Sequence, residues 1–102
     1  VWGRGMIELS EKTREFVGEL FDAQHRALVC QRLMTECADN LALCEGDTPK
    51  GMERLRFAVL KLSEGQIDKL SEAMELARID WRDLLVAAGF GDDTNAHERW
   101  RP

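Results

Sequence analysis

The sequence predicts an all-α fold built around one long N-terminal helix, and three observations carry that prediction. Apolar residues fall at Phe16, Leu20, Ala23, Ala27, Cys30, Met34, Cys37, Leu41 and Cys44, with spacings that alternate between four and three. A repeat averaging about 3.5 residues belongs to a helix packed along a seam with slight left-handed supercoil. From Pro49 onward apolar residues again recur at three and four, punctuated by the capping residues Ser63, Asp80 and Gly89. Strand signals are absent: no alternating run is rich in Val, Ile or Thr, and the chain has no Tyr. A chain of 102 residues holds one core, and 44% apolar and 32% charged residues with 8 Gly and 2 Pro exclude disordered, collagen-like and low-complexity classes.

Residues 1–9 are expected to be extended or disordered, 10–91 to form a single helical domain, and 92–102 to form a tail. The first helix is predicted over 10–44, about 50 Å long at 1.5 Å per residue. Val17, Phe21 and Leu28 widen its seam on one side, whereas Val29, Leu33 and Leu43 lie around the opposite side. One neighbour cannot cover both sides, so a second copy of the chain is expected against this helix, giving a homodimer. Gly46 suits a left-handed C-cap, Thr48 an N-cap and Pro49 the first position of a new helix, whose stripe is Met52, Leu55, Val59 and Leu62. Ser63 and Gln66 have the spacing of a capping box, stapled by Leu62 and Ile67, and open a third helix with the stripe Ile67, Leu70, Met74 and Ala77. Asp80 caps a short fourth helix that Gly89 and Phe90 end as a Schellman motif. The second and third helices together match the first in length, so they are expected to return along it antiparallel as a helical hairpin or bundle, with the fourth as a lid. In the tail, one turn from Ala96 is expected to dock by the Trp100 indole, leaving His97 in a mobile segment.

Charge and motif spacing narrow the chemistry. A net charge of −5 makes phosphate backbones poor partners, because binding them needs a surplus of Lys and Arg on one face. No apolar run approaches the roughly 18 residues of a membrane span, and no charged-then-apolar secretion signal is seen. The cytoplasm is therefore the expected compartment, and no membrane partner is expected. Cys30, Cys37 and Cys44 follow each other at i, i+7, about 10.5 Å apart along one helix, too far for a shared zinc or a disulfide. They are expected to be small buried hydrophobes, and no metal or other cofactor is expected. Asp22-x-x-His25 has the i, i+3 geometry of a bundle metal site's half-motif, which is only half a site.

Glu64, Asp68, Glu72 and Glu75 form an acidic stripe on the third helix, in a C-terminal part that carries 9 acidic and 5 basic residues from position 64 on. This stripe, with the leftover apolar residues Val29, Leu33 and Leu43, is the expected contact surface of a non-catalytic protein–protein interaction module with a basic protein partner. The alternative is a Mg²⁺-dependent nucleotide phosphohydrolase using Glu19, Asp22, Glu72 and Glu75, whose paired carboxylates resemble those of all-helical pyrophosphohydrolases without their order or interval. A helix-turn-helix presenting Arg78 and Arg82 to DNA ranks lower, since Asp80 and Asp83 would face the phosphates. No nucleophile motif or phosphate loop is present.

Overall fold

A computed structural model describes residues 9–36, 49–93 and 95–102. Its elements are α1 (Glu11–Leu20), α2 (Ala23–Glu36), α3 (Pro49–Ser63), α4 (Ile67–Ile79), α5 (Trp81–Ala88) and a 3-10 turn (Ala96–Arg99). No strand occurs among the described residues. The all-α class is as expected, but the single rod over 10–44 is not.

The first helix breaks after Leu20. Phe21 is extended (φ −121°, ψ 148°), its N–H donates to the Val17 carbonyl, and α2 begins at Ala23. No Gly or Pro marks the break, and the heptad spacing runs through it because Leu20 and Ala23 stay in phase. Packing explains why it forms. Beyond the break Val29 and Leu33 are fully buried, Cys30 is only partly buried, and Ala23 and Ala27 are exposed. Burying a large aliphatic side chain gains roughly 1.5–3 kcal/mol, more than an Ala can offer. Each backbone hydrogen bond opened costs a net of about 1 kcal/mol, and Arg26 replaces part of that loss. Its Nε donates to the Phe21 carbonyl at 3.0 Å and its Nη2 to the Gly18 carbonyl at 2.9 Å. A homodimer built on an uninterrupted two-sided rod thereby loses its basis, and the molecule's longest principal extent, 33 Å, is shorter than that rod. Cys37, Leu41, Leu43, Cys44, Gly46 and Thr48, for which roles are expected above, lie outside the described residues.

The central element is α3 rather than α1. It packs against α1, α4, α5 and the 3-10 turn, and its residues 51–60 are buried apart from Glu53, which is half-buried. A helix surrounded on all sides shows little of the one-sided stripe that the spacing of Met52, Leu55 and Val59 suggests. Arg54 and Arg56 are carried into the interior with it, and Arg54 Nη2 donates to the Phe90 carbonyl at 2.5 Å. Instead of running in line along the first helix, α3 and α4 fold back on each other.

The α3–α4 corner differs from the expected capping box. Ser63 belongs to the end of α3, where its hydroxyl donates to the Leu60 carbonyl and accepts from the Gly65 N–H, while Gln66 makes no side-chain cap. The turn is made by Glu64 and Gly65, both at positive φ (52° and 78°). A Cβ on Gly65 would lie 2.6 Å from the Leu20 carbonyl oxygen, so the end of α1 rests directly on this corner. The Leu62 and Ile67 side chains both pack on the core edge beside it. The next two caps form as their residues predict. Asp80 accepts from the Arg82 and Asp83 N–H groups, and Gly89 turns left-handed (φ 82°) while the Phe90 N–H donates to the Leu85 carbonyl.

Candidate functional site

The corner that seats α1 also shapes an open groove of about 360 Å³ lined by Leu62, Glu64, Lys69, Glu72, Ala73 and Leu76. Its floor is apolar because Leu62 ends α3 and Ala73 and Leu76 lie on the α4 face that meets the core. Its rim is charged because Glu64 is held outward by the turn and Lys69 and Glu72 lie beside that face of α4. Glu64, Asp68, Glu72 and Glu75 are all exposed, but only the last three lie on α4, and Glu64 stands in the turn before it instead of on the helix as expected.

The carboxylates differ in what occupies them. Lys69 Nζ donates to Glu64, and that hydrogen bond, with the charges of Glu64, Asp68 and Glu72, raises the Lys69 pKa above its ordinary value. Arg78 Nη2 donates to Glu75 at 2.5 Å and holds the Glu75 carboxyl below its ordinary pKa. Asp68 accepts from the Lys69 N–H at 3.0 Å, and Glu72 makes no ion pair among the described residues. The groove therefore offers an apolar floor and an unspent carboxylate, chemistry suited to an apolar side chain flanked by a cation.

Other predicted residues fall elsewhere. Val29 and Leu33 have no exposed surface, so this face of the first helix is closed by the chain's own core instead of being offered to a partner. Arg32 Nη1 donates to Ser71 Oγ at 2.8 Å and ties α2 to α4 beside them. Asp22 and His25 pair at the surface, Oδ1 to Nδ1 2.6 Å. Glu19 and Asp22 are not gathered with Glu72 and Glu75, and no group of three His, Cys, Asp or Glu residues placed to hold a metal occurs among the described residues. Trp81 sits half-buried at the core edge with the Arg82 guanidinium 5.3 Å from its ring centre, and Asp80 and Asp83 are exposed beside it.

One of the buried polar residues was expected elsewhere. His97, expected in a mobile tail, has no exposed surface and lies 5.6 Å from the Phe57 ring and 6.4 Å from the Phe90 ring, centroid to centroid. The signal was available in the spacing. In a 3-10 turn side chains at i and i+3 eclipse, so the docking expected of Trp100 carries His97 inward with it. Trp100 does dock, edge-on to Phe16 at 5.3 Å and to Phe57 at 5.8 Å.

Among the described residues no helix is long and apolar enough to cross a membrane. No protein family, curated protein or solved structure matches the chain.

Proposed function

We propose that this chain is a non-catalytic, cytoplasmic protein–protein interaction module whose α3–α4 groove receives an apolar side chain of a basic partner segment. The observation that supports this is the apolar floor of Leu62, Ala73 and Leu76 beneath the unpaired Glu72, continued outward by Asp68 and Glu75. An apolar contact supplies affinity and the acidic rim supplies orientation and encounter rate, which makes the association sensitive to salt. The test compares the unsubstituted chain with Leu76→Glu and Glu72→Lys in capture of a discrete partner at low and high salt. The expected result is a partner that salt releases and both variants lose, with their helical circular dichroism retained. A partner held equally by both variants places the interface elsewhere.

A homodimer is the second reading, and its support is the exposure of Ile79 (71%) and Val86 (68%), large apolar side chains that the chain's own core leaves uncovered. Sedimentation equilibrium at micromolar concentration decides it, because self-association through these residues is lost in Ile79→Lys with Val86→Lys, whereas a monomer mass for the unsubstituted chain removes it.

A further inference from the structure

His97 is enclosed, polar and unbonded: neither ring nitrogen has a hydrogen-bond partner among the described residues. The nearest charge is Glu53, with Oε2 3.8 Å from His97 Nε2, beyond hydrogen-bonding distance. The other oxygen of that carboxylate is engaged, since Ser10 Oγ donates to Oε1 at 2.5 Å where Ser10 caps α1. Among the described residues the charges that act on the ring are those of Glu53, Arg54 and Lys50 from α3 and Glu98 from its own turn, two carboxylates against two cations, while Phe57 and Phe90 supply uncharged walls. Among the described residues the turn is attached besides this ring by Ala96 and the Trp100 indole, which pack on the core, by a bond from Lys50 Nζ to Asn95, and by Arg99 and the Asn95 N–H, which both donate to Asp93.

We propose that the 3-10 turn is an acid-released latch: a proton taken from solvent onto the His97 ring frees residues 95–102 from α3 and uncovers the aromatic surface of Phe16, Phe57 and Phe90. The site accepts a neutral imidazole because such a ring is amphipathic and uncharged. An imidazolium there forfeits its hydration for a carboxylate already shared with Ser10 and two nearby cations. Burial, the largest influence, lowers the His97 pKa from its ordinary 6.5, opposed by Glu53 and Glu98 and aided by Arg54 and Lys50. The sign follows from linkage. Because the docked ring binds its proton less readily than the released ring, docking is intact above the released pKa, weakens as pH falls through it, and stops weakening once the docked ring itself titrates.

The test uses Trp100 as sole indole reporter, with Trp2→Phe and Trp81→Phe in place, titrated from about pH 8 to about pH 5, the range in which His changes charge. The expected result is a red shift and increased acrylamide quenching of Trp100 on acidification, with helical circular dichroism unchanged, and loss of that transition in His97→Leu and in His97→Gln. In the unsubstituted chain the Trp100 indole N–H resonance is expected to move with the same midpoint as the His97 ring protons. Trp100 emission that ignores pH, a transition that survives in a folded His97 variant, separate midpoints for the two resonances, or emission that changes only together with helix content would each overturn the latch.

Discussion

The half of the molecule made by α3, α4 and α5 is joined by corners of three residues and of one and packs face on face, whereas α1 and α2 are attached to it through individual ties. Those ties are Ser10 to Glu53, Arg32 to Ser71, the Leu20 carbonyl over Gly65, and the inserted side chains Phe16, Val17, Phe21, Val29 and Leu33. In the first half, local chemistry decides where a helix such as α5 stops. In the second, a distant surface decides it, and the helix yields. A break that Arg26 repairs is the visible result, since a helix end needs partners for its last carbonyls and here one guanidinium provides two of them.

If burial beyond the break drives it, the largest effect should come from Leu33. Leu33→Ala is expected to cost about 2–5 kcal/mol in urea unfolding, the range for an enclosed Leu, while Ala27→Ser, on the exposed seam, changes stability by less than about 0.5 kcal/mol. Equal effects at the two positions would restore the heptad seam as the packed face. Next comes the seat between the halves. Gly65→Ala is expected to cost about 1–3 kcal/mol, from a left-handed backbone and a Cβ driven against the Leu20 carbonyl, and amide exchange should rise in α1 more than in α5. Smallest are the caps. Asp80→Ala is expected to cost about 1 kcal/mol, and Gln66→Ala, at a helix start with no side-chain cap, less than about 0.5 kcal/mol. Similar losses at both would mean that the α4 start is capped by Gln66 after all.

The same contrast sets how much could be read beforehand. Pro49, Asp80, Gly89 and Phe90 act on backbone groups within a few residues of themselves, so the starts of α3 and α5 and the end of α5 were legible from chain-local rules. The acidic face of α4 was legible for the same reason, because helical spacing alone places Asp68, Glu72 and Glu75 together, whereas Glu64 lies in the turn before the helix. The groove beneath it was not, since its floor depends on how α3 folds back on α4. Ser63 shows a local rule misapplied: its hydroxyl had two uses within reach, and the left-handed Glu64–Gly65 turn, set by the Leu20 carbonyl forty-five residues upstream of Gly65, selects the one that closes α3. Phe21, Arg26 and Arg54 fall in the same class, each answering to partners that the spacing of neighbours does not encode. His97 lies between, predictable from Trp100 once the tail is taken as a 3-10 turn.

The contact between Gly65 and Leu20 is written in main chain on both sides, and this fixes how the two halves can diverge. At position 65 any side chain is strained, whereas position 20 meets the corner through an atom that every amino acid possesses. Drift at the first is costly and at the second is free as far as this joint is concerned, so the joint constrains the sequence on one side only.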